Sequence, residues 1–243
     1  LGITFFVSMM IGTGFSLLLV CGLMGLGITI AWRKQLTGGV VWAGLAAGLI
    51  SELGILFIGN GDLSWAVANL VLIPPAFTAG ALLLQITKLG QIHVLDGNPT
   101  AGVQGFLFAC LLAVPASLLN LLGNLQSQDT WIRRWWQPLY AIVPGIAEET
   151  WARLFLVTVC YAILRPVTKQ RPRRALVVAI LTSVIAHGFA HTGIDPFGIV
   201  IGSLLYSLPS ALLLIKGSFE HAVGYHFMVD FVRYLAAYVS LQG

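Results

Sequence analysis

Apolar residues along this chain run in long unbroken stretches, and polar positions are confined to short interruptions between them. A membrane crossing needs roughly 20 predominantly apolar residues. By that measure the chain divides into about eight segments, approximately 3–32, 38–58, 66–87, 103–125, 138–164, 175–191, 197–215 and 219–241. The opening run, at about 30 residues, exceeds a signal-peptide core and reads as a span rather than a cleaved leader. Pro74-Pro75 should break or kink the third segment near its middle. The sixth and seventh are short and separated only by Thr192-Gly193-Ile194-Asp195-Pro196, a tight hairpin or a re-entrant corner. Of the polar connections, 126–137 carries Trp131, Trp135 and Trp136 beside Arg133-Arg134, the make-up of an interfacial aromatic belt. No internal repeat is visible. The pattern predicts an all-α, polytopic transmembrane bundle of about eight spans, with residues 1–243 forming a single membrane-embedded domain.

Composition excludes the alternatives. The 243 residues are 58% hydrophobic and only 9% charged, with a mean hydropathy of +0.90. A soluble domain carries about 25% charged residues, so this chain has too little polar surface to cover a water-soluble globule. Disorder requires the opposite composition, polar and highly charged. An integral, multi-pass membrane protein is what remains.

The net charge of +4 is a modest basic excess over 9 acidic residues. It reads as a topology signal and not as a nucleic-acid footprint. With eight spans, Arg33, Lys34, Lys88, Arg165, Lys169, Arg171, Arg173, Arg174 and Lys216 fall on one side, with Arg133 and Arg134 opposite. The positive-inside rule places the first group in the cytoplasm or its equivalent. Cys21, Cys110 and Cys160 lie inside apolar runs without C-x-x-C spacing, as small buried hydrophobes do.

Ionisable groups inside a span cost on the order of 2.5–3.5 kcal/mol each at mid-membrane, and by default they mark function. Here they are concentrated: Glu148, Glu149 and Arg153 in the fifth span, His187 and His191 in the sixth, Glu220, His221, His226, Asp230 and Arg233 in the eighth. Only Glu52 stands inside the others. On a helix, Glu149 and Arg153 share a face four residues apart, acid before base, and neutralise each other. Glu148, rotated by about 100°, keeps its carboxylate free to act as a base. His187 with His191, and His226 with Asp230, are also four apart, so each pair projects from one face. The set suits water activation by Glu148 with a histidine, and oxyanion stabilisation from another helix. Carboxylate and imidazole are also ordinary zinc ligands, which leaves zinc or another divalent metal open on Glu148, His187, His191 and His226. The H-E-x-x-H zinc signature is absent.

These residues resemble a known family. Glu148-Glu149-Thr150-Trp151-Ala152-Arg153 is similar to the E-E-x-x-x-R signature of the CPBP intramembrane proteases, which group type II CAAX prenyl endopeptidases with bacteriocin-processing and abortive-infection proteins. The second motif, F-x-x-x-H, falls on residues 187–191, and the third, H-x-x-x-N or D, on residues 226–230. The resemblance covers 138–235 as the family-like core. It implies that Glu148 and His191 activate the attacking water, that His226 and Asp230 support the oxyanion, and that Glu149 with Arg153 hold the site. It also implies a membrane-protein or lipidated peptide as substrate, cut at membrane depth among lipids.

Two positions depart from the pattern. His187 stands where phenylalanine is usual; it tunes His191, joins a metal site or contacts Glu148. Asp230 is the acidic variant, and since an ionised aspartate repels an oxyanion it must be protonated, orient His226 or bind a cation. Glu220 and His221, near the start of the last span, suit interfacial, non-catalytic roles. A non-proteolytic scaffold or assembly factor on the same fold, binding a membrane-protein complex partner, is the alternative. A proton channel or transporter is a third reading, disfavoured because no repeated half is visible.

Overall fold

A computed structural model describes residues 2–59, 62–123, 129–168, 171–193 and 195–241, with side chains described from residue 15 onward. Among these residues every regular element is helical. The main helices are α1 (Gly2–Ala31), α2 (Gly38–Ile58), α3 (Leu63–Thr87), α4 (Pro99–Gly123), α5 (Gln137–Val167), α6 (Pro172–Thr192), α7 (Pro196–Lys216) and α8 (Phe219–Ser240). Six of them, α2 to α7, are long and apolar enough to cross a membrane, rather than the eight expected. The last expected segment is the helix α8, which carries Glu220, His221, His226, Asp230 and Arg233 and is not among the six. In α1 the apolar stretch among residues with described side chains is Phe15–Ala31, shorter than the 21 to 31 residues of the six. Lys169 and Ile194, which figured in the charge asymmetry and the sixth-to-seventh turn, lie outside the described residues, as do 126–128 of the aromatic connection.

Pro74 and Pro75 do not break α3, which runs uninterrupted through both. The reason is close packing by small residues. A Cβ on Gly25 of α1 would sit 2.6 Å from the Pro75 carbonyl oxygen, and one on Gly44 of α2 would sit 2.8 Å from that of Pro74. Backbones of α1 and α2 thus approach the proline turn directly, and α3 becomes the central, most buried helix. Its first turn is capped by Asp62, whose Oδ1 accepts from the amides of Ser64 and Trp65 at 3.0 and 3.2 Å. Those bonds and the Ser64 hydroxyl hold the Asp62 carboxyl below its ordinary pKa.

Three helices contain a stretch of wider π turn: Gly54–Ile58 in α2, Glu149–Val157 in α5 and Ser203–Ser207 in α7. A π turn takes carbonyls off the regular i, i+4 ladder, and two of those carbonyls accept hydroxyls from neighbouring helices. Ser183 of α6 donates to the Ala152 carbonyl at 2.6 Å, and Tyr225 of α8 donates to that of Leu205 at 2.7 Å. Ser210 of α7 donates to the Ala222 carbonyl at 3.1 Å. These bonds pin α5 to α6 and α7 to α8.

Described residues on both sides of the α6–α7 corner end and start the two helices. Gly193 ends α6 at φ 62°, a conformation that glycine adopts without cost. Asp195 then caps α7 by accepting from the Phe197 and Gly198 amides. Beyond residue 128, the aromatic connection does not lie loosely on the surface. Trp131 packs edge-on against Tyr140 and Tyr234, and only Trp135 stands far out, at 70% exposure. The three cysteines are free, Cys21 buried and the other two half-buried.

Candidate active site

The ionisable residues of α5, α6 and α8 converge on one carboxylate oxygen. Glu148 Oε2 lies 2.8 Å from His187 Nε2, 2.8 Å from His191 Nε2 and 3.7 Å from His226 Nε2. The two α6 imidazoles, one helical turn apart, bring their Nε2 atoms within 3.2 Å of each other. Glu148 is therefore not free, as the helical spacing alone suggested. It is separate from Arg153, but two imidazole nitrogens of α6 lie within hydrogen-bond distance of it. His187 is fixed further by Ser207 of α7, whose Oγ lies 2.7 Å from Nδ1, and by the Trp151 ring at 5.9 Å.

Glu149 and Arg153 form the expected ion pair, Oε2 to Nε 3.5 Å, with both side chains buried. The pair sits on the π stretch of α5, and no hydrogen bond forms between the two atoms. Charge, not a bidentate fork, holds it. The other oxygen of Glu149 is used in a way that helical spacing did not suggest: Oε1 accepts from His226 Nδ1 at 2.8 Å, joining α5 to α8. His226 Nε2 then lies 3.6 Å from Asp230 Oδ2 on its own helix.

Asp230 has a second partner. Arg233 Nη2 lies 3.8 Å from its Oδ1, while Arg233 Nε lies 3.3 Å from Asp129 at the start of the aromatic connection. The carboxylates here outnumber the guanidiniums: Glu148, Glu149, Asp230 and Asp129 stand with Arg153 and Arg233. His226 Nδ1 is within hydrogen-bond distance of Glu149, whereas its Nε2 stands 3.6 Å from Asp230 and 3.7 Å from Glu148. Glu148, His187 and His226 each present a ligand atom within 4.8 Å of the others, so this group could hold a metal.

One side of the cluster is open. Glu148 and His191 line a cavity of about 460 Å³, walled by Leu18 of α1, Ile55 of α2, Trp65 and Asn69 of α3, and Tyr140, Val143 and Trp151 of α5. The His191 side chain is 50% exposed while His187 is 7% exposed, so His191 is the imidazole that meets whatever enters. Glu220 and His221 are placed elsewhere: Glu220 Oε1 accepts from the Val94 amide at 2.9 Å, and His221 packs near His93. They tie the 88–98 connection to the start of α8.

Three contributors were not legible as site residues. Ser207 and Asn69 are neutral and common in spans, and Arg233 stood out only as one more charge in the last helix. Only the i, i+3 spacing of Asp230 and Arg233 could have signalled their pairing.

No curated protein and no solved structure matches the chain. Residues 130–232, which contain all three motifs, match the family model described as type II CAAX prenyl endopeptidase Rce1-like. That match bears out the resemblance to the CPBP intramembrane proteases.

Proposed function

We propose that this protein is an intramembrane endopeptidase that hydrolyses a peptide bond in a membrane-associated or prenylated protein or peptide, with Glu148 and His191 activating the water. The observation that carries this reading is the 2.8 Å pairing of Glu148 with His191 on the wall of a mostly apolar cleft.

Water bound against Glu148 and His191 gives its proton to the carboxylate as its oxygen adds to the scissile carbonyl carbon. The resulting oxyanion is met by His226 Nε2, whose imidazole Glu149 holds through Nδ1 at 2.8 Å while Asp230 lies 3.6 Å from Nε2. The C–N bond then breaks, and the proton held at Glu148 passes to the leaving amine. Glu149 and Arg153 do not touch substrate; they position His226 and the α5 turn that carries Glu148. Asp230, paired with Arg233, orients His226 without an uncompensated negative charge beside the oxyanion. The apolar walls suit a substrate delivered from lipid.

A second reading is favoured by the donor set. Tetrahedral zinc with bonds of about 2.0–2.1 Å places its ligands about 3.3 Å apart. Separations of 2.8, 2.8, 3.2 and 3.7 Å among Glu148 and the three imidazoles bracket that value. Glu149 on His226 Nδ1 and Ser207 on His187 Nδ1 are the kind of outer partners that orient metal-bound histidines. In that case Glu148 is a ligand and not the base.

The test uses purified protein in nanodiscs with a farnesylated peptide ending in a CAAX sequence, read by mass spectrometry. The expected result is release of the C-terminal tripeptide by the wild type and none by a folded Glu148→Ala variant. Wild-type turnover in Glu148→Ala overturns the assignment of the base. Cellular complementation that survives Glu148→Ala/His191→Ala would move the protein to the scaffold class. Comparing new membrane-proteome termini in wild-type and Glu148→Ala cells identifies the natural substrate.

A further inference from the structure

The cleft has a wall that the three motifs do not reach. Asn69 of α3 lies outside residues 130–232, yet it lines the same cavity as Glu148 and His191. It is only 4% exposed. Its Nδ2 donates to the Trp65 carbonyl at 2.8 Å, which settles which way the carboxamide points. The carbonyl end, Oδ1, is left buried with no hydrogen-bond partner.

We propose that Asn69 is a substrate-binding residue whose carboxamide oxygen accepts a backbone N–H from an extended peptide lying in the cleft between α3 and α5. The proposal rests on the peptide-hydrolase reading above. Its physical basis is a match of unmet needs. A peptide drawn into an apolar cleft at membrane depth loses the water that satisfied its amides, and each unsatisfied N–H is costly there. The cleft wall offers one buried acceptor with nothing bound to it. Trp65 and Ile55 line the same cavity and offer apolar surface to a bound peptide.

Binding is measured with a fluorescent farnesylated CAAX peptide on the Glu148→Gln protein, so that turnover is not required. Adding Asn69→Ala is expected to weaken Kd about tenfold, the equivalent of about 1.4 kcal/mol. A series of peptides in which one backbone N–H at a time is replaced by an ester oxygen identifies the partner. At one position the ester costs about tenfold on Glu148→Gln and nothing further on Glu148→Gln/Asn69→Ala. Thermal melting separates this from a folding defect, since a merely structural asparagine changes melting without coupling to any ester. An unchanged Kd in Asn69→Ala, or additive losses at every ester position, overturns the proposal. Coupling in a wild-type protein that never cleaves the peptide supports the subsite and sinks proteolysis alone. Failure of the peptide to bind either variant removes both.

Discussion

Replacing Arg233 with methionine tests the charge arrangement around His226. The guanidinium lies 3.8 Å from Asp230 and 3.3 Å from Asp129, over the Tyr234 ring at 4.7 Å. Methionine keeps the stem and removes the charge. At about 4 Å the attraction between unit charges is about 4 kcal/mol at an effective dielectric of 20 and about 1 kcal/mol in water. Asp230 is 14% exposed and Arg233 28%, so the loss should fall between these limits, at ~2–3 kcal/mol. In Arg233→Met, Asp230 faces the developing oxyanion with its charge uncompensated, and kcat/KM for the farnesylated peptide should fall about 30- to 150-fold. Asp230→Asn removes the charge that Arg233 balances, while its side chain still reaches His226, and should cost less than fivefold. The double variant is the decisive one. If Arg233 acts by compensating Asp230, Arg233→Met/Asp230→Asn recovers to within about threefold of Asp230→Asn alone. Losses that simply add across the cycle would refute the reasoning and make Arg233 a structural link to Asp129 only.

Other outcomes follow from the same geometry. His187→Phe should retain activity within about tenfold if Glu148 and His191 activate water alone; a loss above 10³-fold together with one zinc per wild-type protein, measured by elemental analysis, establishes the metal reading instead. Prolonged chelation should likewise leave the turnover of the wild-type enzyme unchanged. Glu149→Gln strands a fully buried Arg153 and should destabilise the protein by about 3–5 kcal/mol; an unchanged melting temperature in detergent would contradict the burial of that pair. Gly44→Val should abolish folded yield by size-exclusion chromatography, since a Cβ there meets Thr78 Oγ1 at 2.6 Å, whereas Gly27→Ala, with nothing within 4 Å, should be silent.

Much of the site is local in sequence. Glu149 with Arg153, His187 with His191, and His226 with Asp230 are i, i+4 pairs, and helical periodicity places each on one face whatever the rest of the fold does. Which helices carry the ionisable residues was also plain, because charged residues inside apolar spans stand out against their surroundings. Of the pairings between helices, His187 with Glu148 was one of three readings and Glu148 with His191 came from the resemblance; the link from Glu149 to His226 had no signal. Glu149 binds His226, 77 residues away, and Glu148 meets two α6 imidazoles instead of remaining free. Of the break or kink expected at Pro74-Pro75, the break does not occur: the glycine backbones of α1 and α2 pack against the proline turn, and helix propensity carries no such term.

By itself, then, the sequence determined the solvent, the all-helical class and the residues that bear charge, since these follow from hydropathy and from a period of 3.6. Tertiary structure alone decided which oxygen each imidazole faces, that Arg233 stands behind Asp230, that Ser207 reaches His187 and that Asn69 lines the cavity. The physical reason is the directionality of hydrogen bonds and ion pairs. They act over 3–4 Å, and only packing, with π turns exposing the Ala152 and Leu205 carbonyls to cross-helix hydroxyls, brings residues of different helices within that distance.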